Sequence, residues 1–116
     1  MIHEFSRTEM LIGKAGLDAL RDSHVAVFGV GGVGSHAIEA LARSGVGQLT
    51  LVDNDTVSPT NINRQSIALH STVGQYKTQV MKQKIADINP DCRVSTFETF
   101  VLPDNMDALF GQIGPV

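Results

Sequence analysis

The residues best suited to chemistry lie in a glycine-rich stretch, residues 29–35, directly after the apolar run at residues 25–28. Gly29, Gly31 and Gly34 have the G-x-G-x-x-G spacing that binds nucleotide phosphates where a strand turns into a helix. The first glycine allows the tight turn, the second lets a phosphate approach, and the third lets the helix pack closely on the strand. The amides of Gly34 and Ser35 are expected to face the anion, at the positive end of the helix dipole. This stretch therefore predicts a nucleotide site.

Polar residues further along the chain indicate which nucleotide would bind. Asp53 ends the second apolar run, where a carboxylate accepts hydrogen bonds from ribose hydroxyls, although such an Asp can also simply cap the following turn. Asp53 suits NAD and ATP equally. A helix N-terminus largely suffices for a pyrophosphate, whereas sites for a triphosphate add Arg or Lys and usually a metal. The donors Asn61, Arg64, Gln65 and Lys77 therefore favour ATP, the alternative for the two cations being a solvated surface position.

The apolar pattern predicts the elements that position these side chains. One or two short helices are expected over 7–22, strands over 24–29, 48–53 and 93–101, and helices over 35–44 and 74–88, with a short last helix after Pro103. This β-α-β-α-β order predicts an α/β fold, the N-terminal half of a Rossmann-like doubly wound parallel sheet. Residues 1–23 form the N-terminal helical segment and 24–116 the ATP-binding half-domain. A fourth strand would begin near residue 116, so one sheet edge is expected to be open.

Composition excludes several classes of protein. The 116 residues carry a formal net charge of −3 and are 42% hydrophobic, as in one ordinary globular domain without general attraction to nucleic acid. No apolar run approaches the ~20 residues of a membrane span, and the N-terminus lacks the order of a signal peptide. Cys92 has no partner for a disulfide and no feature that would activate it, and no histidine has metal-ligand spacing. We expect a cytoplasmic protein with no membrane contact and no metal site among these residues.

Four spaced motifs together carry a family resemblance. They are Gly-Val-Gly-Gly-Val-Gly-Ser, Leu-Val-Asp-Asn-Asp-Thr-Val, Thr-Asn-Ile-Asn-Arg-Gln and Val-Gly-Gln-Tyr-Lys. From about residue 5 to 105 the chain resembles the ThiF, MoeB and HesA superfamily, which includes ubiquitin-activating enzymes and bacterial sulfur-carrier adenylyltransferases. Three further runs are most similar to its tRNA threonylcarbamoyladenosine dehydratase branch: Ala-Leu-Ala-Arg-Ser-Gly-Val-Gly, Ile-Asn-Pro-Asp-Cys-Arg-Val and Phe-Val-Leu-Pro-Asp-Asn.

The resemblance implies ATP-dependent activation of a carboxylate as an acyl-adenylate, with Mg²⁺ as the metal. Gly31 and Gly32 would approach the phosphates and Asp53 would hold the ribose. Arg7 matches a position from which an arginine reaches the ATP of the other subunit in the adenylyltransferase branch, so a homodimer is implied. The family's metal-binding aspartate follows a fourth strand and lies outside this sequence. The residues that would contact the triphosphate are Asn61, Arg64 and Lys77, with Gln65 beside them.

The sequence leaves open which carboxylate would be activated and whether the chain is catalytic. The dehydratase branch would cyclise threonylcarbamoyladenosine in tRNA with loss of water, which makes tRNA the expected substrate. A sulfur-carrier protein, activated at its C-terminal glycine for thiamine or molybdopterin synthesis, is the alternative acceptor. A fragment that binds nucleotide without catalysis is a third possibility. An NAD-dependent dehydrogenase is disfavoured by the cluster of donors at residues 61–65.

Overall fold

The computed structural model describes residues 3–116 and confirms the predicted order of elements. The helices and strands alternate after the first helix, and a single turn of 3-10 helix, Pro59–Asn61, lies in the loop after the second strand. In chain order the elements are α1 (Ser6–Arg21), β1 (His24–Phe28), α2 (Gly32–Ser44), β2 (Gln48–Val52), α3 (Lys77–Ile88), β3 (Arg93–Phe97) and α4 (Met106–Ile113).

The three strands form one parallel sheet in the order β1-β2-β3. Val27 pairs with Leu51, and Leu51 pairs with Thr96, so the carboxyl ends of all three strands meet at one edge. Within residues 3–116, β1 pairs with β2 alone, and its other side has no strand neighbour. This is the predicted half of a Rossmann-like doubly wound sheet, with the expected open edge at β1.

Helices cover both faces of the sheet, as parallel sheets require. On one face α2 and α3 pack on β2 through Ile38, Met81 and Ile85, all fully buried with Leu49 and Leu51 of the strand. Each such side chain stabilises the fold by about 1.5–3 kcal/mol relative to exposure. The opposite face carries a smaller cluster formed by α4, whose buried members are Val52, Leu109 and Ile113.

Three predicted boundaries are wrong, and in each case a contact that hydrophobic periodicity does not reveal decides the boundary. The helix α2 begins at Gly32 instead of residue 35, since its first turn packs directly on the glycine turn. The helix α3 begins at Lys77 instead of residue 74, because Tyr76 is held in an antiparallel bridge to Thr56. The strand β3 ends at Phe97 instead of residue 101, and Asn105 stabilises the turn that follows through bonds to the backbone of residues 100 and 102.

The helix α1 is kinked at Gly13, whose φ of 75° and ψ of 175° interrupt the helical backbone. Of the one or two short helices that the sequence predicts here, the structure has two pieces joined at the kink. The second piece is anchored by the buried Leu17, whereas Met10 and Leu11 in the first piece are 85% and 88% exposed. Just before α1, the ring of Phe5 lies over Gly45, where α2 ends. In residues 3–116, we find no helix with the length and apolar character of a membrane span.

Candidate nucleotide-binding site

The glycine turn joins β1 to α2 as the fingerprint predicts. Gly29 has a φ of 101°, a left-handed conformation that favours glycine, and its N–H donates to the carbonyl of Val52 at 2.8 Å. A Cβ atom on Gly34 would stand 1.9 Å from the carbonyl oxygen of Gly29. The packing of the protein itself therefore requires both glycines: Gly29 for the turn and Gly34 for the contact between helix and turn.

Gly31 and Gly32 differ, because the protein gives no steric reason for a glycine at either position. A Cβ atom on either residue would have no heavy atom within 4 Å, and neither has a positive φ. The space that a side chain would fill lies over the first turn of α2. A phosphate approaching the backbone would use that space, so these two glycines fit an anionic ligand.

The prediction that the Ser35 amide faces the anion is wrong. Its N–H donates to the carbonyl of Gly31 at 2.9 Å, which is the first hydrogen bond of the helix. The amides available to a ligand are those before it, at Gly32, Val33 and Gly34, because the first turn of a helix has no internal acceptors for them. The amides that could face an anion therefore lie closer to the start of the turn than predicted, and that of Gly34 is among them.

Asp53 is fixed beside the glycine turn by two backbone amides. Its Oδ2 accepts from the N–H of Val30 at 2.6 Å, and its Oδ1 accepts from the N–H of Asp55 at 2.7 Å. The turn-capping role considered as an alternative is therefore observed. A carboxylate has about four acceptor positions, so two remain for ribose hydroxyls. Both roles are compatible, and the backbone contacts hold the carboxylate in place.

A cavity of about 240 Å³ opens beside Asp53 at the carboxyl ends of the strands. Open α/β sheets bind their ligands at this edge. Asp53 and Asp55 are its charged residues, and two phenylalanines with part of the loop after β3 supply much of the remaining wall. The lining residues are Phe28, Gly29, Val52, Asp53, Asp55, Thr99, Phe100 and Val101.

Lys77 is the first residue of α3 and is only 6% exposed. Its Nζ lies 4.0 Å from Oδ2 of Asp55, and its N–H donates to the carbonyl of Asp55 at 3.0 Å. A buried cation at the positive end of a helix dipole is unfavourable unless an anion faces it. Asp55 supplies part of that charge and connects Lys77 to the cavity. Sequence reasoning missed Asp55, although it stands two residues after Asp53 in the second motif.

The polar loop after β2 keeps most of its contacts internal. Asn61 is buried, and its Oδ1 accepts from the N–H of Ser58 at 2.9 Å, which caps the 3-10 turn. Arg64 is exposed, and its Nη1 donates to the carbonyl of Thr60 at 2.9 Å and to Asn63 Oδ1 at 3.1 Å. The guanidinium thus hydrogen-bonds within its own loop, and its predicted contact with a triphosphate stays a prediction.

Two buried side-chain oxygens in this part of the chain have no hydrogen-bond partner, Asn54 Oδ1 and Gln65 Oε1. Asn54 follows Asp53 directly, and Gln65 is 8% exposed. An unsatisfied buried polar group costs about 1–3 kcal/mol, so these two amides have capacity for a ligand or an ordered water.

Arg7 lies away from these residues within one chain. It is exposed on α1, whose start packs on the C-terminal end of α2 through Phe5 and Gly45, whereas the glycine turn is at the other end of α2. A helix of 13 residues is about 20 Å long. Contact between Arg7 and a nucleotide on a second subunit stays a prediction.

The fold shifts the pKa values of two further side chains, Cys92 and Glu39. Burial raises the pKa of the Cys92 thiol, which opposes formation of a reactive thiolate, as the sequence predicts. Hydrogen bonds from Lys84 of α3 and Arg43 of α2 lower the pKa of Glu39. Residues 3–116 contain no group of three or more His, Cys, Asp or Glu side chains placed to hold a metal ion.

The parallel sheet, the glycine turn and the acidic strand end define a Rossmann-like α/β unit with a candidate nucleotide site. The ThiF family model matches residues 5–116, and the chain belongs to the ThiF family.

Comparison with known proteins finds tRNA threonylcarbamoyladenosine dehydratases and a molybdopterin-synthase adenylyltransferase among the relatives of the chain. It is 57% identical over 110 residues to the tRNA threonylcarbamoyladenosine dehydratase of Bacillus subtilis, covering 95% of this chain and 43% of that protein. The crystal structure of the E. coli tRNA N6-threonylcarbamoyladenosine dehydratase in complex with ATP superimposes with a TM-score of 0.89 at 48% identity, covering 96% of this chain and 45% of that one. Identity to the molybdopterin-synthase adenylyltransferase of Salmonella typhimurium is 43% over 94 residues, 81% of this chain and 38% of that protein. The chain thus spans less than half the length of these relatives.

Proposed function

We propose that this chain forms the ATP-binding part of an enzyme that adenylates a carboxylate. The observation that carries the proposal is the open space over Gly31 and Gly32, where the protein itself has no need of glycine. Asp53 supports it, since its carboxylate is fixed beside this space with two acceptor positions free. The ATP complex of the E. coli relative, 48% identical to this chain, supports the choice of nucleotide.

The chemistry needs positioning and charge stabilisation more than a reactive protein group. A carboxylate oxygen attacks the α-phosphorus, pyrophosphate leaves, and the acyl group becomes a good electrophile because AMP can depart from it. The amides of the glycine turn would hold phosphate oxygens, Asp53 the ribose, and Lys77 the developing charge. Arg64 would join by turning its guanidinium from the Thr60 carbonyl towards the triphosphate, with Asn61 and Gln65 beside it. Mg²⁺ would enter with ATP, as in other reactions at phosphates.

For the acceptor, we propose threonylcarbamoyladenosine in tRNA. Adenylation of its carboxylate would let a nitrogen of the same substrate attack, close a ring and release AMP, so that one water is lost overall. The greater identity to the Bacillus subtilis dehydratase, 57% against 43% for the molybdopterin-synthase adenylyltransferase, favours this acceptor. The latter relative keeps the C-terminal glycine of a sulfur-carrier protein as the second candidate.

We also propose a homodimer in the cytoplasm. Arg7, Met10 and Leu11 share one exposed surface of α1, and two exposed apolar side chains beside a cation suit a face covered by a second copy. In such a dimer Arg7 of one subunit would reach the nucleotide of the other. ATP and tRNA are both cytoplasmic, and a single buried cysteine suits a reducing compartment.

Titration of the polypeptide with ATP and with NAD, each with magnesium, tests the nucleotide. We expect ATP to bind more tightly, and equal or tighter binding of NAD would contradict adenylation. Exchange of pyrophosphate into ATP in the presence of modified tRNA or a carrier protein then tests the acceptor. Arg64→Ala is expected to slow this exchange because its charge meets the reacting phosphates. An exchange rate equal to that of the wild type would remove Arg64 from the site.

A further inference from the structure

The helix α3 begins without the usual local stabilisation of a helix N-terminus. Its N-cap residue, Tyr76, makes no side-chain hydrogen bond to the first turn, and that turn contains no acidic residue. Instead it contains Lys77, a cation at the positive end of the dipole. Unpaired amides and a misplaced charge both destabilise this turn. Some other part of the fold must therefore hold it in place.

Glu98, directly after β3, makes the contacts that hold the turn. Its Oε1 accepts from Thr78 Oγ1 at 3.0 Å and from Gln79 Nε2 at 2.8 Å. Gln79 Nε2 also donates to Thr96 Oγ1 of β3 at 2.9 Å. Thr78 is fully buried, so its hydroxyl has a fixed direction. Two consecutive residues after Lys77 are thus bonded to the end of β3.

The charge of Glu98 suits this place. Burial is the largest single influence and acts to raise the pKa of Glu98, but the hydrogen bonds from Gln79, Thr78, Thr96 and the backbone together outweigh it and lower the pKa. The side chain is therefore an anion near the N-terminus of α3, where a negative charge is favourable. Hydrogen bonds to a charged acceptor are also about twice as strong as neutral ones.

On the other side, the chain after β2 fixes the same turn. The carbonyl of Asp55 accepts from the N–H of Lys77, and its carboxylate faces the ammonium at 4.0 Å. Lys77 is thus held on one side by Asp55, which lines the cavity. On the other side, Glu98 holds the two residues that follow it, Thr78 and Gln79.

We propose that Glu98 is a positioning residue for Lys77: through Thr78 and Gln79 it holds the first turn of α3 so that the ammonium stays beside the nucleotide cavity. This inference rests on the proposed binding of ATP. Glu98 itself is not expected to touch the nucleotide, and its effect passes entirely through the lysine. Its removal should therefore affect ligands that reach Lys77 and spare ligands that do not.

Calorimetric titration of ATP and AMP into Glu98→Ala, Lys77→Ala and the double variant tests the proposal. AMP lacks the two outer phosphates that Lys77 would contact. We expect Glu98→Ala to weaken ATP about tenfold and AMP less than about twofold, as for the loss of one coupled contact. In the Lys77→Ala background, Glu98→Ala should weaken ATP no further. A purely structural role of Glu98 would lower ATP binding in both backgrounds.

Two further variants and one control complete the set. Glu98→Gln keeps an acceptor oxygen without the charge and should lose less ATP affinity than Glu98→Ala, and Thr78→Val, of similar shape without the hydroxyl, should reproduce part of the loss. If Glu98→Ala does not fold, these two variants test the proposal in its place. Glu39→Ala is the matched control, because its carboxylate also bonds α3, at Lys84 Nζ and 2.9 Å, but far from the first turn. It should leave both affinities unchanged.

The outcomes separate this inference from the proposed function. If the wild type binds neither ATP nor AMP, the proposed function and the inference both fail. If ATP binds and Lys77→Ala weakens it while the Glu98 and Thr78 variants do not, only the inference fails. Equal losses for ATP and AMP in Glu98→Ala, or a further loss in the double variant, would also overturn it.

Discussion

Substitution of Gly34 by Ala is expected to damage the fold itself. The new Cβ would lie 1.9 Å from the carbonyl oxygen of Gly29, whereas ordinary contact begins at 3.4 Å. The helix and the glycine turn must therefore move apart by about 1.5 Å, against two backbone segments that cannot change rotamer. Overpacking of this kind costs about 1–3 kcal/mol. For a chain of this size that lowers the melting temperature by roughly 5–12 °C.

Gly32→Ala is the matched comparison, since it adds the same methyl group to the same helix. No heavy atom lies within 4 Å of the new Cβ, and Ala is a better helix former than Gly by up to about 1 kcal/mol. Stability should stay equal or rise slightly. The methyl group would, however, occupy the space over the first-turn amides. We expect ATP affinity to fall about tenfold, which is about 1.4 kcal/mol.

Thermal unfolding and ATP titration of the two variants measure both effects. Gly34→Ala should lose stability, and Gly32→Ala should lose nucleotide with its stability intact. A Gly34→Ala protein as stable as the wild type would refute the packing argument. A Gly32→Ala protein that binds ATP normally would show that no phosphate approaches the backbone there.

Three further variants test other parts of the molecule. Asp53→Asn should weaken ATP by about 1–3 kcal/mol in a titration, because a charged acceptor for the ribose is lost, and unchanged affinity would contradict that role. Glu39→Gln should lower stability in urea by less than about 1 kcal/mol near neutral pH. Since the folded pKa of Glu39 is lowered, this difference should shrink as the pH falls through the ordinary range of a glutamate and vanish below the lowered pKa, and a constant difference would exclude the ion pairs as its cause. Met10→Glu should shift sedimentation from dimer towards monomer, and a wild type that is already monomeric would exclude the dimer.

Most of what the sequence predicts correctly depends on the spacing of residues that are close together in the chain. The positions of Gly29 and Gly34 follow from the fingerprint because a strand, a tight turn and a closely packed helix need glycine at those two points. The order of the strands follows from the alternation of elements, since parallel neighbours need crossover helices. Asp53 follows from its place at the end of β2. These features depend on residues close together in the chain, and the structure confirms their placement.

The missed features depend on contacts between distant segments. Gly47 has no visible reason in the sequence, yet a Cβ there would lie 1.7 Å from the carbonyl oxygen of Arg21. The bond between Glu98 and Thr78 joins the ends of two elements whose boundaries were predicted wrongly. The start of α2 at Gly32 has a local cause: glycine has low helix propensity, and the packing of Gly34 on Gly29 overrides it. Such contacts can be predicted only when the relative positions of the elements are known, and hydrophobic periodicity does not determine these positions.

The kink at Gly13 separates the first segment of α1, which carries Arg7, from the second segment. Gly13 has a φ of 75° and a ψ of 175°, a backbone region that is essentially limited to glycine. Because glycine has no side chain, residue 13 can adopt these backbone angles, and they set the direction of the segment that carries Arg7. Arg7 lies six residues before Gly13, about 9 Å along a helix, so the backbone angles at Gly13 decide where its guanidinium is presented. Leu17 anchors the helix after Gly13 in the core, and Phe5 holds the start of the first segment against Gly45, so the segment that carries Arg7 lies between two fixed points. A larger residue at position 13 would disfavour these backbone angles, and a change in the direction of the segment would work against the contact of Phe5 with Gly45.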